Sequence, residues 1–382
     1  MGNNNKFLPL IIGALCVVLA LIIVFGVSLF SNKENGDENS NKVQEELIAP
    51  VLDLSLNTTD EEQEEVTILV VATTEDEEGI DYIELPDKTQ IFAETKEYKV
   101  TENGEYTFKA VGLNGAESVL SIEVTNIREV SSNNPYIPAG FEHIGGEVDT
   151  GFVIQDTYGN QYVWVPVPTG ILTRSTMMST DYSESNSSAT ALVNSVAKNY
   201  GFYIARFEAS SYEDGDRKVA AAMAQKMPWT DVNFREAEDA ANLSAEVFGY
   251  EGVATALINS YAWDTTLEWI NQSVTNYSTN TSYGNYSGTI YPTGSTESDQ
   301  MNYICDLAGN VREWTTEEYS PITSTGNKKN NSKKNNTNDN VSSRVVRGGS
   351  ANLNKIANSR NGYPEDLTDG YWGFRIILYE NS

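Results

Sequence analysis

The first feature of the hydrophobic pattern is an apolar run over residues 8–30, which contains no charged side chain. A helix rises about 1.5 Å per residue, so a run of this length crosses a hydrocarbon core of roughly 30 Å. The pattern predicts a transmembrane helix over residues 8–30, preceded by a short cytoplasmic end at residues 1–7. A cleaved signal peptide is disfavoured because its apolar core is shorter. Lys6 and the lack of acidic residues place that end inside the cell, so the chain is expected to be a single-pass cell-membrane protein with its bulk extracellular.

The pattern then becomes polar and afterwards alternates. Residues 31–47 have no apolar period and are predicted to form a flexible stalk. Residues 48–130 read as short strands separated by turn residues at a spacing of about 8–12 positions, which is typical of a sandwich. The run 100–108 (Val-Thr-Glu-Asn-Gly-Glu-Tyr-Thr-Phe), followed by the hairpin signal Asn114-Gly115, resembles bacterial immunoglobulin-like surface modules. This resemblance implies an all-β Ig-like sandwich over residues 48–130.

The C-terminal region, residues 136–382, mixes strand and helix periodicities. Helical patterns occur at residues 189–198, 234–243 and 257–270, between β-rich runs. Residues 324–343 are almost entirely Asn, Lys and Ser with few apolar residues, and we expect them to form a disordered surface loop. The region is therefore predicted to be one α+β domain with a long insertion.

Four short motifs in this region carry a family resemblance. They are the run 306–314 (Asp-Leu-Ala-Gly-Asn-Val-Arg-Glu-Trp), the run 344–350 (Arg-Val-Val-Arg-Gly-Gly-Ser), the run 373–376 (Gly-Phe-Arg-Ile) and the run 200–204 (Tyr-Gly-Phe-Tyr-Ile). Together they resemble the core of the formylglycine-generating enzyme family, also called the sulfatase-modifying-factor domain. The resemblance implies a C-type-lectin-like α+β fold with little regular secondary structure. It also implies that Trp314, Trp372 and Phe374 are buried anchors and that Arg347 and Arg375 bind backbone carbonyls.

The central motif is also a candidate calcium site. Gly309, Val311 and Glu313 alternate along an extended segment and can face the same side, with Asp306 one turn before them. Carboxylates and carbonyl oxygens are the ligands that calcium takes. The resemblance implies side-chain ligation by Asp306 and Glu313 and carbonyl ligation by Gly309 and Val311, so calcium is a possible structural cofactor. The alternative is that Asp306 caps a turn and Glu313 accepts backbone N–H bonds.

The residues that carry the family's redox chemistry are missing. Active relatives are expected to bind copper through two cysteines soon after the Arg-Gly-Gly-Ser motif, and residues 351–360 contain none. Iron-dependent relatives use three histidines, whereas this chain has only His143. Neither copper nor iron is expected, and no catalytic or cofactor-binding residue is predicted.

Composition also argues against a nucleic-acid-binding protein and against disulfide or zinc sites. The formal net charge is −29, which disfavours a nucleic-acid partner because the phosphate backbone is itself anionic. The two cysteines are Cys16 and Cys305, and they lie on opposite sides of the predicted membrane boundary. No internal disulfide and no cysteine-rich zinc site are therefore expected.

A loop rich in Tyr, Asn, Ser and Gly at residues 275–291 is the candidate binding surface. Tyr277, Tyr283 and Tyr286 are predicted to contact ligand, because tyrosine supplies rigid contact area among small hydrogen-bonding residues. The alternative is that a biased composition fills a loop that tolerates many residue types, without any ligand.

Two functions follow from this sequence. In the first, a membrane-anchored bacterial surface protein presents a catalytically silent domain that binds an extracellular glycan or protein. In the second, the domain is an enzyme with unrecognised metal-assisted chemistry that uses acids such as Asp306 and Glu313. A structural stalk without a ligand is a third possibility.

Overall fold

A computed structural model of the protein describes residues 47–57, 63, 65–174, 181–295, 299–320 and 342–381. The chain divides into two compact units, Met1–Glu129 and Val130–Ser382. Each is described by itself below.

The described part of the first unit consists of two antiparallel sheets. Its strands are β1 (Val51–Asn57), β2 (Val66–Thr73), β3 (Ile80–Glu84), β4 (Gln90–Ile91), β5 (Thr95–Val100), β6 (Gly104–Gly112) and β7 (Glu117–Val124). One sheet has the order β1-β2-β5 and the other β4-β3-β6-β7. Alternate residues of β2, such as Ile68, share one buried core with Ile83 and Phe108 from the other sheet. Its assignment to the immunoglobulin-like class stays a prediction.

The second unit contains the remaining described elements. They are β8 (Phe141–Gly145), β9 (Val153–Asp156), β10 (Gln161–Pro166), β11 (Tyr182–Ser183), α1 (Ser187–Asn199), β12 (Gly201–Ala205), β13 (Ser210–Asp214), β14 (Arg217–Ala221), α2 (Phe234–Phe248), β15 (Val253–Leu257), α3 (Ser260–Ser273), a 3-10 turn (Tyr277–Thr279), β16 (Gln300–Met301), β17 (Ile304–Cys305), β18 (Arg312–Tyr319), β19 (Ser343–Arg347), β20 (Arg360–Pro364), β21 (Trp372–Phe374) and β22 (Ile376–Glu380).

Two larger sheets organise this unit. The first has six strands in the order β15-β22-β12-β10-β9-β8, and its neighbouring strands are antiparallel. The second has the order β11-β18-β19-β20, and β21 pairs with β18 in parallel. Close contact between β12 and β10 needs Gly201, because a Cβ there would lie 2.1 Å from the Trp164 ring.

Each helix begins at an asparagine whose side chain accepts a backbone N–H of the first turn. These residues are Asn186 for α1, Asn233 for α2 and Asn259 for α3. The apolar faces of the helices then pack into two adjoining cores, with Leu192 and Trp263 in one and Phe234 in the other. The three helical patterns of the sequence therefore mark real helices, although α2 extends five residues beyond the predicted end at residue 243.

The predicted fold class needs correction in two respects. The expectation of little regular secondary structure in residues 136–382 was wrong, because the chain is mostly β with three α-helices among the described residues. The predicted transmembrane helix is not supported either: no helix in the described ranges is long and apolar enough to cross a membrane. The longest of them, α2, has 15 residues and spans about 22 Å, short of a roughly 30 Å core.

Several predicted segments lie outside the described residues. They are the cytoplasmic end at residues 1–7, the helix at residues 8–30, nearly all of the stalk at residues 31–47 and residues 324–341 of the predicted disordered loop.

Candidate functional site

The central motif lies beneath two loops that pack against each other, residues 283–294 and 351–358, which we call the loop face. Gly288 N donates to Ala351 O at 2.8 Å, and the Tyr286 hydroxyl donates to Lys355 O at 2.7 Å. Gly309 lies directly below, with a φ of 90° and a backbone bridge to Asn285. A Cβ on Gly309 would lie 2.6 Å from Asn285 N, so only glycine permits this approach.

Asn310 joins the segments that form the loop face. Its backbone has a φ of 54°, a left-handed conformation that asparagine tolerates better than most residues. Its side-chain oxygen accepts from Asn285 Nδ2 and Tyr291 N, each at 2.9 Å, and its Nδ2 donates to Glu208 Oε2 at 2.6 Å. Its backbone carbonyl accepts from Ala351 N at 2.8 Å. One buried residue therefore holds both loops on the core, the first through its side chain and the second through its backbone carbonyl.

A cluster of buried charges lies under Asn310. It contains four acids, Glu208, Asp299, Asp306 and Glu313, and one arginine, Arg375. Arg375 donates to Glu313 Oε1 through Nη2 at 2.8 Å and through Nε at 3.2 Å. Burial raises the pKa of Glu208, and the negative charges of Asp306 and Glu313 add to this shift. Burial and the neighbouring Asp306 raise the pKa of Asp299 to about 9.

These shifts lower the negative charge that the cluster carries. Burial and the adjacent Asp306 carboxyl group favour the protonated form of Asp299. Glu208 is also shifted towards its neutral form, while its oxygens still accept from Asn310 Nδ2 and Val311 N. Because Asp299 and Glu208 favour their neutral forms, Arg375 does not have to balance four negative charges in this buried site.

The predicted calcium ligands lie close to one another in the chain, and calcium binding there stays a prediction. The four predicted ligands are Asp306, Gly309, Val311 and Glu313. Both Glu313 carboxylate oxygens accept hydrogen bonds from the Arg375 guanidinium, so the negative charge of Glu313 is already paired with a cation. Asp306 Oδ2 accepts from Gly294 N at 2.8 Å. The described residues also contain no group of three or more His, Cys, Asp or Glu side chains placed to hold a metal.

Cys305 is the thiol nearest to the motif, and it is chemically protected. It is 1 % exposed, and its Sγ donates to Gln300 Oε1 at 3.6 Å. Burial, together with the charge of Asp306, raises the pKa of the thiol to about 12. The thiolate is the form that attacks electrophiles and binds copper(I), so this side chain is almost wholly in its inert form at neutral pH.

The segment at which the resemblance implies a cysteine pair is built from hydrogen-bonding residues instead. Asn358 Oδ1 accepts from Arg347 Nη2 and from Arg360 Nη1, each at 3.2 Å. Asn358 N donates to Ser278 O at 3.1 Å, which fixes the segment against the 3-10 turn. Asparagine here stabilises the loop and provides no thiolate.

Those two arginines belong to a second buried ion-pair network. Arg347 Nη2 lies 2.8 Å from Asp264 Oδ1, and Arg360 Nε lies 3.1 Å from Glu317 Oε2. Arg360 also pairs with Asp264, and Arg174 Nη2 lies 2.9 Å from Glu317 Oε1. Each acid is shared by at least two arginines, so the network is cross-linked.

His143 takes no part in either cluster. It lies on β8, where its ring is stacked on Phe152 at 4.0 Å and its Nε2 is 3.0 Å from Gly146 O. The residue is exposed, and its Nε2 lies within hydrogen-bond distance of the carbonyls of Gly145 and Gly146. These contacts do not include the serine and the carboxylate that a Ser-His-Asp triad requires among the described residues.

The three predicted ligand-binding tyrosines have different surroundings. Tyr277 is fully buried in the core and packs against Tyr283 at 5.3 Å between ring centroids, so it cannot reach a ligand at the surface. Tyr283 and Tyr286 are half-buried, and Tyr286 joins the two loops as described above. The more exposed tyrosine of this region is Tyr291, at 41 %.

Two residues of this site were not predicted from the sequence. Glu208 follows directly after the mostly apolar run 202–207, and an acid in such a position is the one signal that could have indicated it. Asp299 lies in a polar stretch without apolar periodicity, and only the fold brings it to Asp306.

Comparison with known proteins decides the family of this domain. The family described as sulfatase-modifying factor enzyme 1-like domain matches residues 155–379. The chain belongs to this family. Among solved structures, Treponema denticola variable protein 1 is similar at 13 % identity with a TM-score of 0.32, covering 64 % of this chain and 100 % of that one. No curated protein matches the chain.

Proposed function

We propose that this sulfatase-modifying-factor domain binds a glycan or protein ligand through the loop face and does not oxidise thiols. The observation that supports the proposal is the chemistry of residues 351–360, where the sequence has no cysteine and Asn358 is engaged by two arginines. Cys305 does not replace the missing pair, because it is single, buried and protonated.

The loop face supplies the features that binding requires. Its two loops are fixed from below by Asn310, so little conformational entropy is lost when a ligand binds. Exposed side chains of both loops, such as Tyr291 and Leu353, provide contact area beside polar neighbours. Rigid loops with mixed aromatic and polar side chains are typical of recognition surfaces. The extracellular location remains a prediction from the sequence.

The test is a binding screen of the full chain on a glycan array and on isolated cell-wall material. Leu353→Asp places a charge on the loop face, and Val193→Asp is its matched control, because both residues are 37 % exposed and Val193 lies on α1. We expect Leu353→Asp to weaken binding at least about tenfold, equivalent to ~1.4 kcal/mol, and Val193→Asp to leave it unchanged. Equal effects of the two substitutions would show that the ligand does not use the loop face.

A second assay tests the absence of thiol oxidation. The full chain is incubated with copper(I) and a cysteine-containing peptide, and consumption of the peptide thiol is followed. We expect the same rate with and without the protein. A protein-dependent rate that survives Cys305→Ser would reveal an unrecognised enzyme and contradict the proposal.

A further inference from the structure

Arg312, the first residue of β18, is a buried cation that lacks an anionic partner among the described residues. Its side chain is 2 % exposed, and no described carboxylate lies within ion-pair distance of its guanidinium. Its Nε has no hydrogen-bond acceptor in the described part of the chain. Burying a charge without a partner is unfavourable by several kcal/mol in general, so this arrangement calls for an explanation.

The other deeply placed arginines of the same domain are paired. Arg344, Arg347, Arg360 and Arg375 have side chains that are at most 15 % exposed, and each has a carboxylate oxygen within 3.1 Å. In these four cases the domain therefore pairs a buried arginine with a carboxylate. Arg312 departs from this rule.

The neighbours of Arg312 are neutral and still have donors to offer. Nη1 donates to the Tyr363 hydroxyl at 3.0 Å, and Nη2 donates to Asn361 Oδ1 at 2.8 Å. The Tyr363 hydroxyl then retains its own O–H, and the Asn361 amide retains both N–H groups. Asn361 is exposed and Tyr363 half-buried, so solvent reaches these two neighbours of the guanidinium. An anion bound at this point would meet three hydrogen-bond donors: the guanidinium, the Tyr363 hydroxyl and the Asn361 amide.

Aromatic rings frame the guanidinium. Its central carbon lies 5.3 Å from the Tyr363 ring centroid and 5.8 Å from that of Trp372, and these two rings are 4.4 Å apart. Tyr371 connects this place to the loop face, because its carbonyl accepts from Arg312 N and its hydroxyl donates to Gly288 O. Rings beside a fork of donors suit a ligand that has both a carboxylate and an apolar ring face.

We propose that Arg312, Tyr363 and Asn361 form a binding site for the carboxylate of an acidic saccharide. This inference rests on the proposed function and names the chemical class of its ligand. The carboxylate pairs with the guanidinium, the Tyr363 hydroxyl donates to it, and Asn361 turns towards solvent to admit it. The half-buried ring of Tyr363 packs against the sugar ring, because Trp372 is itself buried.

The first test measures binding of glucuronic acid to the full chain by calorimetry, with glucose as the neutral ligand of matched ring. Arg312→Gln removes the cation, and Arg235→Gln is the control because that arginine is 73 % exposed. We expect glucuronic acid to bind at least about tenfold more tightly than glucose. We expect that preference to disappear in Arg312→Gln and to persist in Arg235→Gln. Equal affinity for the two sugars, or acetate binding as tightly as glucuronic acid, would overturn the saccharide proposal.

Asn361→Asp tests the same site without removing a buried residue. The substitution is nearly isosteric, lies at an exposed position and gives Arg312 the carboxylate that the described chain lacks. We expect it to raise the melting temperature of the ligand-free protein and to weaken binding of glucuronic acid at least about tenfold. A lower melting temperature, or undiminished binding, would show that Arg312 has no need of an anion.

The glycan array separates this inference from the function on which it rests. Binding confined to neutral glycans, and unchanged in Arg312→Gln, would remove the acidic-saccharide site and leave ligand binding intact. Binding of no ligand of any kind would remove both.

Discussion

Asn310 Nδ2 donates to Glu208 Oε2 at 2.6 Å, although 102 positions separate the two residues in the chain. Glu208 follows the core strand β12, whereas Asn310 lies two residues before the motif strand β18. Glu208 Oε1 accepts from Val311 N at 3.0 Å, so one carboxyl group satisfies two consecutive residues of the turn. This contact fixes the loop face to the core of the domain.

We expect Asn310→Ala to lower the free energy of unfolding by about 3 kcal/mol, because it leaves buried donors and acceptors of Glu208, Asn285 and Tyr291 without partners. Urea denaturation measures the change. Asn276→Ala is the matched control: Asn276 has a φ of 61° but is exposed, so it reports only the backbone cost, about 1 kcal/mol. Equal losses in the two variants would mean that the hydrogen bonds of Asn310 add nothing.

The Arg375 guanidinium is the cation that the buried acids require. We expect Arg375→Met to destabilise the protein by about 3–5 kcal/mol, because Glu313 is left as an unpaired buried charge. Arg235→Met removes an arginine that is 73 % exposed and leaves Glu365 paired with Arg344, so it should change stability by less than about 1 kcal/mol. The measurement is again urea denaturation, and a loss at Arg375 no greater than that at Arg235 would refute the assignment.

Chelation should leave the protein unchanged. Since Arg375 already neutralises Glu313, we expect the melting temperature to be the same before and after dialysis against EDTA, and added calcium to have no effect. A fall of several degrees on chelation that calcium reverses would instead support the predicted ligation by Asp306, Gly309, Val311 and Glu313.

Stability should fall as pH rises from about 5 to about 9. The pKa of Asp299 is raised to about 9 by burial and by Asp306, so the folded protein binds a proton that the unfolded chain releases near its ordinary pKa of about 4. Stability from this group is fully present below the unfolded pKa and is lost as pH approaches the folded value. The raised pKa of Glu208 acts in the same direction.

Asp299→Asn tests this dependence, because the amide imitates the protonated acid and can donate to Asp306. We expect the variant to melt above the parent protein at pH 9 and close to it at pH 5. Asp366→Asn, at an exposed position, serves as the control and should keep the parent profile. A parent protein whose melting temperature rises between pH 5 and pH 9 would contradict the direction of the shift.

Cys305 should resist thiol reagents in the native state. In a Cys16→Ser background, we expect an aromatic disulfide reagent to modify Cys305 at least about a hundredfold more slowly in native protein than in guanidinium, because the thiol is buried and its pKa is about 12. The absorbance of the released thiolate follows the reaction. Rapid native labelling would show an accessible thiol and reopen redox chemistry.

Local patterns in the sequence identified the helices and several of the buried residues of the domain. Trp314 and Phe374 are fully buried as predicted, and Arg347 and Arg375 do donate to backbone carbonyls. The three helices were marked by apolar periodicity. These features are readable because they depend on residue type and spacing within one segment.

The site itself was less accessible to such reasoning. Tyr277 lies in a segment whose composition is typical of a binding loop, yet tertiary packing buries its side chain completely. The partnership of Glu313 with Arg375 spans 62 positions, and that of Asp299 with Asp306 depends on two loops meeting. Pairings at such separations are decided by the fold, and no period in the sequence reports them.

The position of β22 in its sheet has a consequence for biosynthesis. Residues 376–380 insert between β15 and β12, which come from far earlier in the chain. On the ribosome, both of those strands must wait with open edges until the closing strand emerges, so a nascent chain stalled before residue 376 would present two unpaired strand edges to chaperones and to other chains.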